Sequence, residues 1–385
     1  MDATTISAAV RASNELTARW CETLRADGNA VLSGAGLWPL LALLASAADD
    51  AAKSELTAAI GRPAESAQAE AVELLDIIDK ADAASAALAL WLRPGLTLAD
   101  PTWAAGLPAG TVETLTGQAR VDAWAAEHTR GLIERLPLQL SPADMLVLAT
   151  ALAVKTRWTT FFEPARHAVT GRWAGHRDWL TRVTTDLGAV SVLGDGAQAV
   201  TRVIVTGRDD IDVHLLLGAP ESPPGAVLAH GTAALVGDVA RSTAADLPVG
   251  ASGHGFLVSA IDGATDTLRL TLPPFKIRAA HDLLATSSLF GLNAASDPSA
   301  GQFPALDKSL YVSSGAQDVI AEFSAEGFEA AAVTAFAMAR AAFMRPPAST
   351  SRRLEVTLDR PFGFLAVHRP TGLVLVAGWL ATPAR

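Results

Sequence analysis

The sequence predicts an α+β fold, because a helical apolar period early in the chain gives way to a strand pattern later. Apolar residues recur at helical spacing from Ile6 to Leu24. From Arg166 to Ile277, Gly, Pro, Asp and Thr separate short β-branched runs, which is typical of strands. Helices followed by strands, with few helices between those strands, favour mainly antiparallel sheets over a repeating βαβ unit.

Helices and one short strand are predicted in the N-terminal region. The first helix ends at Gly28-Asn29, and Gly61 and Pro63 end the third. Pro39 is tolerated because it falls in the first turn of the second helix. The predicted segments are the helices 6–27, Leu37–Ala48, Ala51–Ile60 and Ala69–Ile78 and the strand Ala30–Leu32.

The middle of the chain contains apolar segments of different patterns. Ser85–Leu92 fits a strand or a helix. Val121–Leu136 places its apolar residues along one helical face, which predicts an amphipathic helix. Met145–Trp158 is a long apolar segment.

The last half of the chain is predicted to be mostly β-structure. Pro370-Thr371-Gly372 is a turn signal that joins the last two strands in a hairpin. One helix is predicted among the strands, over His281–Phe290. The predicted strands are Val200–Val205, Val213–Leu217, Phe256–Ile261, Leu268–Leu272, Val319–Phe323, Leu354–Leu358, Phe362–Val367 and Val374–Trp379.

Length and composition bound the possible functions. The chain has 385 residues and shows neither a linker nor a repeat, which predicts a single domain over 1–385. Its net charge of −10 is unfavourable for binding nucleic acid or an anionic membrane. The longest apolar run, Ala35–Ala48, is shorter than the roughly 20 residues that span a bilayer. Met1–Thr5 lacks a basic segment followed by an apolar run, so a cytoplasmic location without a signal peptide is expected.

No motif of enzyme chemistry is found. Cys21 is the single cysteine, which excludes an intrachain disulfide and a cysteine-based zinc site. His167, His176 and Asp178 could be assembled into a metal site, but scattered surface or core residues explain them better. Gly194–Ala199 resembles G-x-G-x-x-A, yet a β-branched run follows it instead of a helix, which favours a turn. The prediction is a protein without catalytic residues, metal or cofactor.

An alanine-rich stretch lies between two of the predicted strands. Glu326–Met344 has good helix propensity, so an interior helix is one interpretation. The stretch ends in a polar, proline-bearing segment, however, and about 30 residues separate the strands Val319–Phe323 and Leu354–Leu358. Connections of that length in compact domains are usually functional or disordered.

This stretch resembles the reactive-centre loop of the serpin family. The matching hinge reads Glu326-Gly327-Phe328-Glu329-Ala330-Ala331-Ala332-Val333-Thr334. Further resemblances follow in the family's order along the chain, whereas residues 166–260 match poorly. The segments that carry these further resemblances are Ser33 and the helix after it, Ala123-Trp124, Leu146–Trp158 with Lys155, Leu272–Ile277 and Asp359-Arg360-Pro361-Phe362.

The resemblance also indicates which residues control opening of the sheet, and where this chain departs from the family. Gly36, Thr150 and Gln317 stand where the family has Ser, Asn and His, and Phe328 replaces a small hydroxyl residue. Overpacking by Phe328 would slow loop insertion. The predicted sheet-opening region comprises Ser33, Gly36, Thr150, Lys155, Trp158 and Gln317.

The resemblance implies a serpin fold: N-terminal helices, mainly antiparallel β-sheets and an exposed reactive-centre loop at about 325–352. It implies a monomeric inhibitor of a serine protease, and the alanine-rich composition suggests a bacterial source. Cleavage after Ala341, before Ala342, would suit elastase-like or subtilisin-like proteases, and cleavage after Arg340 would suit trypsin-like ones. A non-inhibitory binding protein, whose loop is cut as a plain substrate, is the alternative.

Overall fold

The computed structural model describes residues 6–96, 98–129, 131, 133–299, 301–328 and 350–383, except for the side chains of Ser85 and Ala87. The hinge residues 329–334 (Glu329, Ala330, Ala331, Ala332, Val333 and Thr334) and the reactive-bond candidates Arg340, Ala341 and Ala342 lie outside the described residues.

Most α-helices of the described residues lie in the first third of the chain, in agreement with the prediction. Ser33 caps α2 by accepting a hydrogen bond from the Gly36 amide (2.9 Å), and Gly61, at φ 67°, ends α3. The helices are α1 (Ala8–Cys21), α2 (Gly34–Ala47), α3 (Asp50–Ile60), α4 (Ala64–Asp79), α5 (Pro101–Ala105), α6 (Gln118–His128), α7 (Pro224–Val236) and α8 (Ser287–Phe290).

The strands occupy most of the remaining chain. They are β1 (Ala30–Leu32), β2 (Ala84–Leu92), β3 (Val112–Thr114), β4 (Leu146–Val154), β5 (Thr156–Arg157), β6 (Glu163–Ala165), β7 (Trp179–Thr184), β8 (Val190–Leu193), β9 (Val200–Thr206), β10 (Ile211–Leu217), β11 (Arg241–Thr243), β12 (Ser252–Gly253), β13 (Phe256–Asp262), β14 (Thr267–Leu272), β15 (Phe275–Asp282), β16 (Val312–Phe323), β17 (Gly327–Phe328), β18 (Thr350–Thr357), β19 (Phe362–His368) and β20 (Leu373–Leu380).

These strands form three sheets in the described part of the chain, and antiparallel pairs predominate. One seven-stranded sheet has the order β1-β20-β19-β10-β9-β8-β11, and a six-stranded sheet has the order β12-β13-β18-β14-β7-β6. The other seven-stranded sheet has the order β3-β2-β4-β16-β17-β5, with β15 on the free side of β16. At its centre β4 and β16 run parallel.

Both faces of this last sheet are covered, which makes its central strands almost wholly apolar. The buried helix α2 and its neighbours pack on one face within the main hydrophobic core. On the opposite face, Trp91, Val121 and Trp124 belong to a smaller cluster under α6. The central pair β4 and β16 is therefore held between two apolar layers.

Several predicted elements are wrong in extent. The helix predicted at Val121–Leu136 ends at His128, because the Thr129 hydroxyl bonds the Ala125 carbonyl (2.7 Å) and the Ile133 amide (2.9 Å). The helix predicted from Leu37 begins at Gly34, which places Pro39 inside it. Burial of nearly every residue of α2 offsets the lost backbone hydrogen bond.

Two further segments differ in type from the prediction. His281 and Asp282 end β15 instead of starting a helix, because the whole strand pairs with β16. Helix α7 lies in a region predicted as strands, where Pro223-Pro224 starts it and Gly237, at φ 80°, ends it. Ser85–Leu92, which fitted either type, belongs to strand β2.

No helix within the described residues combines the length and apolarity that crossing a membrane requires. Within the same residues, no group of three or more His, Cys, Asp or Glu side chains is arranged to hold a metal ion. Within Gly194–Ala199, the residues Gly196–Gln198 form a short 3-10 turn before β9, in agreement with the predicted turn.

Candidate functional site

The candidate site lies along the parallel pair β4 and β16. Their register runs from Val312 opposite Leu146 to Val319 opposite Leu152, and includes Gln317 opposite Thr150. Beyond the pair Val319 and Leu152, where the register ends, β17 lies between β16 and β5. Thus β16 pairs directly with β4 and is separated by β17 from β5, the short strand that follows β4 in the chain.

A buried polar network fastens the directly paired part. The Gln317 side chain accepts a hydrogen bond from the Ser33 amide (3.0 Å) and donates to the Ser33 carbonyl (2.9 Å) and the Thr150 hydroxyl (3.3 Å). The Ser33 hydroxyl donates to the Leu375 carbonyl (2.7 Å). All of these side chains are buried, so their mutual bonds replace those that water would otherwise supply.

Gly36 leaves room for this network. A Cβ atom at Gly36 would lie 3.3 Å from the Ser33 hydroxyl oxygen and 3.4 Å from Nε2 of Gln317. The absence of a side chain at Gly36 therefore leaves space for the Gln317 amide beside the Ser33 hydroxyl. Of the predicted sheet-opening residues, the structure brings together Ser33, Gly36, Thr150 and Gln317.

His281 extends the same row and was not singled out from the sequence. It lies opposite Gln317 in the β15–β16 register, and its Nε2 is 2.7 Å from the Val31 carbonyl oxygen. Its ring packs edge-on against Trp20 at 4.9 Å. Burial lowers the pKa of His281, which favours the neutral ring beside the network.

Lys155 and Trp158 lie apart from this network. The Lys155 side chain is exposed beyond the end of β4, and its backbone amide bonds the Ala83 carbonyl (2.7 Å). Trp158 is fully buried at the end of the sheet where β17 enters. Its indole N–H donates to the Ser324 carbonyl (3.0 Å), and its backbone amide donates to the Glu326 carbonyl (2.9 Å).

A tight turn at 324–327 reverses the chain after β16. The Ser324 hydroxyl accepts hydrogen bonds from the amides of Glu326 (3.3 Å) and Gly327 (3.2 Å), and the Ser324 amide donates to the Gly327 carbonyl (2.9 Å). This is a serine-initiated turn, for which the spacing Ser-x-x-Gly was the available sequence signal. It directs the first hinge residues back along the sheet.

Gly327 is required by the close approach of the neighbouring strand. It lies opposite Arg157, and Phe328 lies opposite Thr156. A Cβ atom at Gly327 would lie 2.3 Å from the Thr156 carbonyl oxygen, which is a clash with backbone. Only glycine therefore fits between the strands here without a shift.

Phe328 points into the core and is 1% exposed. It lies opposite Phe323 on β16, and its ring centroid is 6.2 Å from that of Phe364. Phe323 in turn packs against Trp158 at 4.7 Å. The large side chain that replaces the family's small hydroxyl residue is accommodated in an aromatic cluster.

A charged pair lies at the surface of the same turn. The Arg157 guanidinium is 3.5 Å from the Glu326 carboxylate and lies over the Phe161 ring at 5.1 Å from its centroid. The Arg157 side chain is 55% exposed, so the pair is worth little in isolation. The pair nevertheless links Arg157 of β5 to Glu326, the first residue of the predicted hinge.

Comparison with protein families agrees with this architecture. A family model described as Serpin (serine protease inhibitor) matches residues 11–171 and 257–383. The chain belongs to the serpin family. The unmatched residues 172–256 fall within the stretch whose sequence resembles the family least.

Curated relatives of this serpin match over parts of their length. Serpin B10 of Otolemur garnettii is 33% identical over 118 residues, which are 30% of this chain and 28% of the relative. Glia-derived nexin of Rattus norvegicus is 25% identical over 280 residues, 68% of this chain and 62% of the relative. The chain thus spans less than two thirds of the length of these relatives.

Solved serpin structures match over nearly the whole chain. A thyroxine-binding globulin complex with thyroxine covers 98% of this serpin with a TM-score of 0.71 and 18% identity; 99% of that chain is covered. Native protease nexin-1 with heparin covers 97% with a TM-score of 0.70 and 18% identity; 98% of that chain is covered. These matches establish the serpin fold, including for residues 172–256.

Proposed function

We propose that this serpin inhibits a serine protease as a suicide substrate. The protease would cleave the loop 325–352 and form an acyl-enzyme, and the freed segment would insert between β4 and β16. Insertion of about 14 residues at roughly 3.3 Å each carries the attached protease on the order of 45 Å. Relatives with protease-inhibitor names, such as plasminogen activator inhibitor 1 of Bos taurus (33% identical over 119 residues, 30% of this chain and 27% of the relative), support the inhibitor class.

The observation that carries this proposal is the position of β17. Gly327 and Phe328 already lie as a short strand between β16 and β5, so insertion would extend an existing strand. Below them, β4 and β16 pair directly with each other and would have to separate. The hinge therefore starts at the entrance of the path that insertion requires.

The energetics favour insertion once the strands part. A new central strand forms two ladders of hydrogen bonds in place of the one between β4 and β16, and each added bond contributes about 1 kcal/mol net. The uncleaved protein would then be a kinetic trap held by the pairing of β4 with β16 and by the Ser33, Thr150 and Gln317 network.

The first test is incubation with subtilisin, elastase and trypsin, followed by denaturing electrophoresis and a thermal melt. The expected result is a complex that survives denaturant, with cleavage after Ala341 or Arg340, and a higher Tm for the cleaved protein. Clean cleavage without a complex or a rise in Tm would contradict inhibition by insertion.

A pair of hinge variants tests insertion directly. Phe328 points into the core, so alternate residues such as Ala332 should also turn inward when the strand is extended. Ala332→Arg is expected to convert the inhibitor into a substrate, because a charge would be buried. The matched control Ala331→Arg should remain inhibitory. Equal loss in both variants would argue against a strand-like insertion of this segment.

A non-inhibitory binding function is the second candidate. It is favoured by the hydrogen bonds of Gln317 to both Ser33 and Thr150, which resist opening of the sheet between β4 and β16. The structurally similar thyroxine-binding globulin was solved with thyroxine, so the fold can carry a ligand. If subtilisin, elastase and trypsin each cleave the loop and none of them forms a stable complex, the result would favour this candidate.

A further inference from the structure

Arg202 of β9 is a buried arginine without a carboxylate partner in the part of the chain that the structure describes. It is 3% exposed, and its Nε donates to the Ser191 hydroxyl at 3.1 Å. Its two terminal nitrogens make no hydrogen bond to any described residue. Burial of an unpaired charge is unfavourable in free energy. A bound counter-ion at Arg202 would therefore stabilise the folded protein.

The neighbours of Arg202 across the sheet are basic or hydroxylic. In the β8–β9 register Ser191 lies opposite Arg202, and in the β8–β11 register Thr243 lies opposite Ser191. Arg241 is two positions before Thr243 on β11 and therefore projects from the same face. The charge of Arg241 lowers the pKa of Arg202 further, after desolvation, so the two guanidinium groups repel each other.

A buried histidine completes the cluster. His214 of β10 lies opposite Ile204, two positions from Arg202, and so shares the face of Arg202. His214 is 5% exposed, and its Nδ1 is buried without a hydrogen-bond partner. Burial first, and then the charges of Arg202 and Arg241, lower the pKa of His214 to about 3. The neutral ring thus offers one more unused polar atom beside the arginines.

The carboxylates in this region do not neutralise Arg202. Asp212 shares its face but receives two hydrogen bonds from Arg369, both at 2.8 Å. Asp246 lines an open cleft of about 660 Å³ together with Arg241, Ser242, Thr243 and Leu247, a set that does not include Arg202. This cleft opens at the edge strand β11 and borders the cluster.

We propose that Arg202 and Arg241 hold a small tetrahedral oxyanion of the phosphate class, with Ser191, Thr243 and His214 as hydrogen-bonding neighbours. Guanidinium groups suit this ligand, because their planar forks donate paired, charge-assisted hydrogen bonds to phosphate oxygens. A doubly charged anion would relieve the repulsion between the two arginines. The site includes no residue of β17 or of the β4–β16 pair and does not depend on the proposed inhibitory function.

The test is titration of the full-length protein with inorganic phosphate, followed by calorimetry and by thermal melts at constant ionic strength. Saturable binding and a phosphate-dependent rise in Tm are expected, whereas acetate should give neither. Arg241→Gln, at an exposed position, should weaken phosphate binding at least tenfold. Arg25→Gln removes one exposed positive charge elsewhere and should leave the affinity unchanged.

Arg202→Lys provides a second arm, because it keeps the charge and removes the fork. It is expected to weaken phosphate binding while the protein still melts cooperatively. If the wild-type protein shows no saturable phosphate binding, or if Arg241→Gln binds phosphate as well as Arg25→Gln does, the proposed site is wrong.

Discussion

Gln317 of β16 lies opposite Thr150 of β4, and its amide group bonds the Thr150 hydroxyl and the Ser33 backbone at the same time. One side chain therefore links the two strands that the proposed insertion would separate to the N-terminus of α2. The strength of this link should determine both the stability of the uncleaved protein and the ease with which the sheet opens.

Gln317→Leu is expected to lower the free energy of unfolding by about 2–3 kcal/mol, because the Ser33 amide and carbonyl lose their buried partner. Urea denaturation measures this change. Gln198→Leu, at an exposed position before β9, is the control and should change stability by less than about 0.5 kcal/mol. Equal effects of the two substitutions would mean that the network does not stabilise the protein.

Gly327→Ala is expected to displace the hinge from the sheet, because its Cβ would clash with the Thr156 carbonyl oxygen. The displaced segment should be cut faster by subtilisin, which electrophoresis over time measures. The matched control is Gly28→Ala, where a Cβ meets no atom within 4 Å. An unchanged cleavage rate in Gly327→Ala would show that β17 does not restrain the loop.

Phe328→Ala is expected to destabilise the uncleaved protein by about 3 kcal/mol, because it leaves a cavity in the aromatic cluster with Phe323 and Phe364. Phe161→Ala, at a ring that is 41% exposed, should cost less than about 1 kcal/mol. Thermal and urea unfolding compare the two. A loss for Phe328→Ala no larger than that for Phe161→Ala would contradict the burial of this hinge residue.

Acid is expected to destabilise the protein through His214 and His281. Burial lowers the pKa of both, to about 3 for His214, so the unfolded chain binds more protons than the native protein below about pH 6.5. Stability from His214 is therefore complete above about pH 6.5 and is lost progressively as the pH falls toward 3.

Urea midpoints between pH 7.5 and 4.5 check this expectation, and His214→Leu should flatten part of the decline. His254→Leu, at a half-buried position between β12 and β13, is the control and should retain the wild-type decline. A decline as steep in His214→Leu as in the wild type would assign the acid sensitivity to other groups.

The spacing of apolar residues along the sequence predicted helices and strands well in segments where a single helical or strand period is maintained. Most predicted strands of the C-terminal half lie within a few residues of their predicted positions, because β-branched runs between turn residues have few alternatives. The exception is β16, which begins at Val312 and not at the predicted Val319. The pattern failed at Thr129, whose hydroxyl bonds end α6 early, and at Pro224–Val236, an apolar helix without a clear helical face.

The candidate site was less accessible to sequence reasoning. The resemblance to serpins named Ser33, Gly36, Thr150 and Gln317 as residues of one region, but it did not indicate that Gln317 would bond both Ser33 and Thr150. Arg157 and His281 were not singled out, because their roles depend on partners that are distant along the chain. Ser324 was missed although its partners Glu326 and Gly327 are local.

By itself, the sequence determined the fold class and the resemblance to the family, because apolar periods and short motifs are local properties of the chain. Tertiary structure decided that Phe328 is buried, that Gly327 has no room for a side chain and that Gln317 completes a polar network. Ser33 and Gln317 are 284 positions apart, so only strand pairing and helix packing bring them within hydrogen-bond distance.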